Sequence, residues 1–260
     1  MDIPNKSEWN AEHYQQHSDT QYQGALKIIN KLPFKGNERV LDIGCGDGRL
    51  SALIASKISN GNVIGIDSSE NMIQTATQTF REVPNLSFIH ARAEDFTTVE
   101  NSFDLIVSFF AFHWITDQLK VLSTIHRLLK PNGVAIIKTA QGSNPAFAEI
   151  FDSPRWQKQI HDTKEKWHGK NAKDYQQILS QCGFTKIEIE TTEESQFFGN
   201  YEEFVGFAMS WVPYTTGLAP KKALEFAHDL AKNVKSKMKK PDPRGRIELV
   251  TPLLTIWAQK

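Results

Sequence analysis

Hydrophobic and polar positions alternate along this chain with two different periods. Short apolar runs suited to buried strands occupy residues 39–43, 63–67, 86–89, 103–108, 134–138, 185–191 and 249–257. Between these runs apolar residues recur at helical spacing, as Leu119, Leu122 and Ile125 do. Pro131 and Gly133 are expected to end that helix before the fifth strand. Because strands that alternate with helices are typical of parallel sheets, we predict an α/β fold with a seven-stranded, mostly parallel sheet and helices on both faces.

Two stretches interrupt this alternation and predict a helical cap. Residues 141–173 follow the fifth strand, and residues 199–246 separate the last two strands. Open α/β sheets bind ligands beyond the carboxyl ends of their strands, so we expect both insertions to cover that edge. The predicted organisation is an N-terminal helical lid over residues 1–34, a core over 35–198, a helical cap over 199–246 and a final core strand within 247–260.

Charge balance and cysteine content argue against several kinds of partner. The chain has 260 residues, with 30 Lys and Arg against 30 Asp and Glu, so its formal net charge is zero. We therefore expect no overall electrostatic attraction to nucleic acid or to an anionic membrane. Cys45 and Cys182 are its only cysteines, which leaves no disulfide framework and no zinc-ligand spacing. No apolar run could span a bilayer, and the N-terminus lacks signal-peptide features. We expect a cytoplasmic monomer or weak dimer without a metal.

The segment from Arg39 to Gly48 reads RVLDIGCGDG, an apolar strand that runs into a glycine-rich turn. Glycine has no Cβ and tolerates positive φ, so Gly44, Gly46 and Gly48 allow a ligand to approach the backbone closely. The next helix points its free N–H groups at the same place. Asp67 ends the second strand, where a carboxylate can hold ribose hydroxyls. The pattern predicts a nucleotide-type binding site.

An acidic residue before the glycines narrows the choice of ligand. A carboxylate such as Asp42 disfavours a pyrophosphate at the helix N-terminus, whereas it suits a ligand with an ammonium and a sulfonium. Residues 39–48 resemble the first motif of class I S-adenosylmethionine-dependent methyltransferases, and residues 63–69 resemble the second. The resemblance covers roughly residues 35–195 and implies a Rossmann-like fold that binds S-adenosylmethionine. A dinucleotide-binding oxidoreductase and a glycine turn without a ligand remain as alternatives.

This resemblance assigns roles around the cofactor. It implies that Asp42 meets the methionyl ammonium, directly or through water, and that Asp67 holds the ribose diol. The backbone carbonyl of Ser108, at the end of the fourth strand, is expected beside the methionyl moiety. The loop residues expected to surround the ligand are Gly44, Cys45, Gly46 and Gly48.

The adenine end departs from the family pattern. Ser68 and Met72 occupy positions that line the adenine in relatives, although Met72 also suits the apolar face of its helix. Arg92 stands where relatives carry an aspartate that accepts a hydrogen bond from the adenine, and arginine has no acceptor. The N–H of Ala93 and the carboxylate of Glu94 or Asp95 are therefore expected to bind the adenine edge. The departure keeps a non-catalytic cofactor-binding protein open.

A narrower resemblance points to the methyl acceptor. The N-terminal Trp9 and Tyr14, together with Gln21, His113 and Trp114, resemble positions of small-molecule carboxyl methyltransferases such as trans-aconitate methyltransferase and juvenile hormone acid methyltransferase. The resemblance implies that Gln21 and Trp114 anchor a substrate carboxylate by hydrogen bonds. A carboxylate is already ionised at neutral pH, so its methylation needs no general base. For a hydroxyl acceptor, His113 could supply one.

The sequence leaves the character of the acceptor pocket open. No proline follows Ser108, which argues against the amine-methylating enzymes of nucleic acids and favours a small-molecule acceptor. The expected apolar wall comprises Phe109, Phe110 and Phe112. A di- or tricarboxylic acid would need cations, for which the candidates are Arg155, Lys158, Arg244 and Arg246. An apolar acid would instead use Trp156, Trp167, Phe204, Phe207 and Trp211. Methylation of a hydroxyl or amine of another metabolite is the alternative reaction.

Overall fold

The computed structural model describes residues 18–142, 144–160, 167–238, 240 and 242–260. Its strands are β1 (Arg39–Ile43), β2 (Asn62–Asp67), β3 (Leu86–His90), β4 (Phe103–Phe109), β5 (Leu129–Ala140), β6 (Lys186–Phe198) and β7 (Ile247–Gln259). Its core helices are α1 (Asp19–Ile29), α2 (Arg49–Lys57), α3 (Glu70–Thr79), α4 (Gln118–Leu128) and α7 (Ala172–Gln181). The insertion helices are α5 (Pro145–Phe151), α6 (Pro154–Gln157), α8 (Tyr201–Met209), α9 (Val212–Thr216) and α10 (Pro220–Lys237). The lid residues Trp9 and Tyr14 lie outside the described residues.

The described strands form one seven-stranded sheet in the order β3-β2-β1-β4-β5-β7-β6. Neighbours from β3 to β5 pair in parallel, and β7 runs antiparallel between β5 and β6. Helices cover both faces: α1 and α2 pack on one, and α4 and α7 on the other. The predicted α/β class and the mostly parallel sheet are confirmed.

The boundary between α4 and β5 was predicted wrongly. Helix α4 ends at Leu128, and β5 begins at Leu129, before the Pro131 to Gly133 segment that was expected to separate them. Leu129 pairs with Phe103, and the register then shifts within this segment. Asn132 has a φ of 65°, so the turn residues form an irregularity inside the strand.

Strands β6 and β7 extend farther than their apolar runs predicted. β5 pairs with β7 only from Leu253 onward, whereas β6 pairs with β7 along its whole length. Residues 193–198 and 247–252 therefore continue beyond β5 as a two-stranded ribbon. Their polar sequence hid the extension, since Glu193, Glu194 and Ser195 offer no apolar alternation.

The insertion helices have a hydrophobic core of their own. α10 packs against both α5 and α8, and Trp156, Phe204 and Phe226 are fully buried among them. The Phe226 ring meets Phe151 and Trp156 edge-on, with centroids 5.0 and 5.1 Å away. None of the helices in the described ranges combines the length and apolarity needed to cross a membrane.

The central position of β7 predicts a strong effect of truncating its core residues. Leu254 is fully buried between β5 and β6, so Leu254→Ala should lower the free energy of unfolding by about 2–5 kcal/mol. Val250 of the same strand is 41% exposed, and Val250→Ala should cost less than about 1 kcal/mol. Urea unfolding of both variants measures the difference, and equal losses would contradict the topology.

Candidate active site

A cavity of about 530 Å³ lies at the carboxyl ends of the parallel strands. Its volume falls in the range of small-molecule sites. One side, the glycine-loop wall, consists of Gly44, Gly46, Asp67, Ser68, Ser69, Met72 and residues 91–94. A second group of lining residues, the aromatic wall, consists of His113, Trp114, Phe147, Trp167, Phe207, Trp211 and Tyr214. Gln21 of α1 and Glu194 of the ribbon also line the cavity. The structure therefore brings residues from distant parts of the chain around one space.

Gly44 stands where the glycine-loop wall meets the end of β4. Its φ is 73°, and a Cβ built on it would overlap the Cβ of Ala111. The N–H groups of Gly44 and Cys45 donate to the carbonyl of Ile66 at 2.8 and 3.0 Å, which fixes the loop on β2. Only glycine permits both the backbone conformation and the close approach.

Asp67 ends β2 with its carboxylate in the glycine-loop wall. One carboxylate oxygen accepts the Gly46 N–H at 3.0 Å, and the other accepts the Ser69 N–H at 2.8 Å. Burial raises the pKa of Asp67, against the opposing effect of these hydrogen bonds. Each carboxylate oxygen has a second lone pair, so Asp67 retains acceptor capacity for a ligand diol.

Asp42 does not line the cavity, so of the two contacts predicted for it, direct or through water, the structure does not support the direct one. Its side chain is buried behind the loop and accepts a hydrogen bond from Ser51 Oγ at 2.6 Å. Burial raises the pKa of Asp42 to about 7, with a further contribution from the charge of Asp67. The carboxyl group supports the loop from the start of α2, and any effect on a ligand must act through other groups.

Cys45 and Gly48, which were expected to surround the cofactor with the rest of the loop, and Ser108, whose carbonyl was expected beside it, lie outside the cavity lining. Cys45 is buried, and burial raises the pKa of its thiol with help from the charges of Asp67 and Asp42. Gly48 has a φ of 81° and faces Phe88, which leaves no room for a side chain.

Ser108 is fully buried, and its Oγ donates to the carbonyl of Ile43 at 2.8 Å. The hydroxyl links the ends of β4 and β1, and the expected approach of the Ser108 backbone carbonyl to the methionyl moiety stays a prediction. Of the aromatic residues after it, Phe109 and Phe110 line the cavity, whereas Phe112 packs in the core against Tyr175.

The adenine-reading candidates Ser68, Met72, Ala93 and Glu94 all line the cavity. Met72 is also buried on the core face of α3, so it serves packing and the wall together. Glu94 accepts the Thr116 N–H at 3.3 Å, and its side chain is 12% exposed.

Arg92 lies at the rim beside Glu94. Its guanidinium is 3.4 Å from a Glu94 carboxylate oxygen and 61% of the side chain is exposed. The Arg92 guanidinium therefore partly offsets the negative charge of Glu94, while most of the Arg92 side chain stays in solvent.

Two rings of the aromatic wall pack closely against His113, and a third packs against one of them. The centroids of Trp114 and Trp167 lie 4.8 and 4.5 Å from that of His113, and Tyr214 meets Trp114 edge-on at 6.2 Å. His113 Nδ1 lies 3.1 Å from the hydroxyl of Thr139. Burial lowers the pKa of His113 to about 3, so its imidazole is neutral at pH 7 and a weak base.

Gln21 projects from α1 into the cavity lining. Its carboxamide oxygen is buried and has no hydrogen-bond partner among the described residues. A buried polar group without a partner is costly, so a ligand that satisfies it gains affinity.

The cationic candidates of the acceptor pocket lie elsewhere. Arg155 pairs with Asp229 and Glu225, and Arg246 pairs with Asp242. Neither these residues nor Lys158 and Arg244 belong to the described lining. Of the apolar candidates, Trp167, Phe207 and Trp211 line the cavity, while Trp156 and Phe204 belong to the core of the insertion helices. The described lining favours an apolar pocket.

Several lining residues were not anticipated from the sequence. Glu194, Gln196 and Thr251 come from the ribbon, and Tyr214 comes from α9. The ribbon was unrecognised because its apolar signal is absent. Tyr214 sits in an insertion without a readable motif, so only tertiary structure reveals it.

Comparison with known proteins defines the class. Residues 34–198 match the family model described as a methyltransferase domain. The chain is 32% identical over 132 residues to protein 235L of Invertebrate iridescent virus 6, covering 51% of this chain and 48% of that protein. It is 25% identical over 231 residues to malonyl-[acyl-carrier protein] O-methyltransferase of a Paenibacillus species, covering 80% and 82%. The matches thus span from about half to four fifths of these relatives.

Solved structures share the fold. The YcgJ protein of Bacillus subtilis superposes with a TM-score of 0.68 at 17% identity, covering 92% of this chain and 98% of that one. Phosphoethanolamine N-methyltransferase 2 of Haemonchus contortus, solved with S-adenosyl-L-methionine, gives 0.66 at 20% identity, covering 96% and 56%. The chain belongs to the methyltransferase domain family, and its class is that of S-adenosylmethionine-dependent methyltransferases.

Removing the negative charge of Asp67 should weaken cofactor binding measurably. Asp67→Asn keeps the shape but removes the charge and part of the acceptor capacity, so S-adenosylhomocysteine should bind about 10- to 100-fold more weakly. Isothermal titration measures the change, with Asp104→Asn at the opposite end of β4 as the control. Equal affinity for wild type and Asp67→Asn would contradict the assignment.

The raised pKa of Asp42 predicts an unusual dependence of stability on pH. The folded state holds a proton on Asp42 up to about pH 7, whereas the unfolded chain releases it near the ordinary value of 3.8. Stability should therefore fall as pH rises through this window. Asp42→Asn removes the effect, so the free energy of unfolding of the variant relative to wild type should rise between about pH 4 and 7, by a few kcal/mol at most, and then level off.

Asp104 supplies the control of opposite sign. Its burial would raise the pKa, but hydrogen bonds from the Arg39 N–H and from Lys130 outweigh burial and lower it. Asp104→Asn should therefore lose stability relative to wild type as pH rises through the acid range. Urea unfolding at several pH values measures both variants, and a pH-independent difference for Asp42→Asn would refute the account.

Proposed function

We propose that this protein transfers a methyl group from S-adenosylmethionine to a carboxylate oxygen of a small organic acid with an apolar body. The weak basicity of His113 is the observation that carries the proposal. It is the only imidazole among the described lining residues, and its pKa of about 3 makes it unsuited to deprotonate a hydroxyl at neutral pH. A carboxylate needs no such step.

The glycine-loop wall fits the cofactor. Asp67 would hold the ribose diol, Gly44 and Gly46 allow backbone approach, and Glu94 with the Ala93 N–H would read the adenine. When bound, S-adenosylmethionine supplies an electrophilic methyl group. The carboxylates of Asp67 and Glu94 suit a cationic ligand, and the described lining residues include no cluster of cations that would select a pyrophosphate.

The acceptor side supplies neutral donors. Gln21 carries an amide, and Trp114 carries an indole N–H, both of which can donate to a carboxylate oxygen. Arg92 is the only cation among the described lining residues, and it lies at the rim near Glu94. We infer one carboxylate per acceptor, with the rest of the molecule against Trp167, Phe207 and Trp211.

The chain's own residues would promote the reaction by alignment and by exclusion of water. The ribbon and the insertion helices α5, α8 and α9 enclose the cavity opposite the glycine loop, which is consistent with a cap. Holding two reactants near attack distance can contribute about 7–11 kcal/mol. No proton transfer is required of His113, and it would serve as a neutral packing partner of Trp114 and Trp167.

Methylation of an amine is the second candidate. The unpartnered oxygen of Gln21 and the carboxylates of Glu94 and Glu194 would suit a ligand that donates hydrogen bonds. The two reactions give products of different chemistry, because a methyl ester releases methanol in mild base and a methylamine does not.

Incubation with methyl-labelled S-adenosylmethionine and panels of apolar monocarboxylic acids, tricarboxylic acids and amines tests the proposal. We expect base-labile label on the apolar monocarboxylic acids. Base-stable label on the amines would replace the proposal with the second candidate. Label on tricarboxylic acids alone would contradict the apolar pocket.

A substitution at Gln21 predicts opposite outcomes for the two reactions. Gln21→Glu places a negative charge beside the acceptor, so kcat/KM for a carboxylate should fall about 10- to 100-fold, the worth of a hydrogen bond to a charged group plus repulsion. An amine acceptor would retain or gain rate. Gln23→Glu on the exposed face of α1 is the matched control and should leave kcat/KM unchanged.

A further inference from the structure

Helix α1 packs on an ion pair beside the cavity, in which the lysine is buried. The ammonium of Lys138 lies 2.6 Å from a carboxylate oxygen of Glu194, and only 5% of the Lys138 side chain is exposed. The ammonium also lies 5.7 Å from the centroid of the Phe110 ring. A buried ammonium requires such compensation, so Lys138, Glu194 and Phe110 hold one another in place.

Gly24 allows α1 to approach this group. A Cβ on Gly24 would lie 3.3 Å from atoms of Glu194, Lys138 and Phe110 alike, closer than side chains normally pack. Glycine inside a helix weakens it relative to alanine. Phe110 has a φ of 56°, a conformation that a bulky residue keeps only when its surroundings impose it. Both departures are explained by the close packing of α1 on the ion pair.

Arg49 forms a second anchor at the start of α1. Its guanidinium donates to Ser18 Oγ at 2.6 Å and to the Asp47 carboxylate at 2.7 Å, and it lies 5.1 Å from the centroid of the Tyr22 ring. Because Arg49 directly follows the glycine loop, this anchor ties α1 to the glycine-loop wall. α1 is therefore held at its N-terminal end by Arg49 and at Gly24 by close packing on the ion pair.

Gln21 lies between the two anchors. Residues three apart share a helix face, so Gln21 projects on the side that Gly24 presents to Glu194. We propose that Lys138, Glu194 and Arg49 are positioning residues that hold α1, and with it Gln21, against the acceptor. The inference rests on the proposed role of Gln21. Lys138 and Arg49 act through α1 and do not belong to the described cavity lining.

Two variants disturb the contact in independent ways. Gly24→Leu inserts a wedge between α1 and the ion pair and leaves every charge in place. Lys138→Met combined with Glu194→Gln removes the charges and keeps similar shapes, so no unpaired buried charge threatens folding. The matched controls are Gln23→Leu on the exposed face of α1 and Lys130→Met, which breaks the Lys130–Asp104 pair at the other end of β5.

Hydrogen exchange of the α1 amides measures the anchoring without any acceptor. Both disturbing variants should raise exchange over residues 19–29 at least about tenfold, while the controls stay near wild type. The KM for the acceptor should rise roughly tenfold or more, while the Kd for S-adenosylhomocysteine changes little. A purely structural role would shift both constants together or neither.

The outcomes separate this inference from the proposed function. Unchanged α1 exchange in both disturbing variants would overturn the anchoring, whatever the acceptor is. Faster exchange with an unchanged KM would overturn the link to Gln21. Base-stable label in the wild type would instead overturn carboxyl methylation, and the exchange measurement would still decide the anchoring.

Discussion

The close approach of the Gly44 backbone to Ala111 is the constraint on which the site depends. No side chain fits between the turn after β1 and the segment after β4, and Ser108 fastens the two strand ends through its hydrogen bond to Ile43. Because the two ends meet, the glycine loop and the aromatic residues that follow β4 face the same cavity. A methyl donor on one wall and an acceptor on the other can then share one enclosed space.

Electrostatics divides this cavity in a way that suits two different ligands. On the glycine-loop wall, burial raises the pKa of Asp67 against the effect of its hydrogen bonds, and a cationic ligand would favour its ionised form. In the aromatic wall, the His113 imidazole is neutral at pH 7. The Trp114 indole of this wall and the Gln21 amide beside it can donate hydrogen bonds. Neutral donors can bind a carboxylate without the strong desolvation penalty that a buried cation brings.

The fold and the glycine-loop wall were largely predictable from the sequence, for reasons that particular residues make clear. Buried parallel strands give continuous apolar runs, and Gly44 and Asp67 follow such strands directly, so pattern and chemistry coincide there. Asp42, Cys45, Gly48 and Ser108 were assigned to the ligand because they share those segments. Sequence adjacency does not reveal which way a residue faces: the side chains of Asp42 and Ser108 form hydrogen bonds within the protein, and Gly48 packs against Phe88.

The rest of the cavity and the residues behind it were less predictable, because they come from segments that only tertiary contacts bring together. Glu194 lies in a polar ribbon without an apolar signal, and Lys138 is a buried cation that its strand pattern does not explain. Trp167 and Phe207 were named as candidates, but nothing in their local sequence distinguished them from Trp156 and Phe204, which pack inside the insertion helices.

A crystal structure of the protein grown with S-adenosylhomocysteine would test the central claim most directly. We expect the ribose hydroxyls within hydrogen-bond distance of Asp67 and the adenine beside Glu94. The sulfur should point toward the space bounded by Gln21, Trp114 and Trp167. A ligand bound elsewhere, or one whose sulfur faces away from the aromatic wall, would contradict the proposal that one cavity joins donor and acceptor.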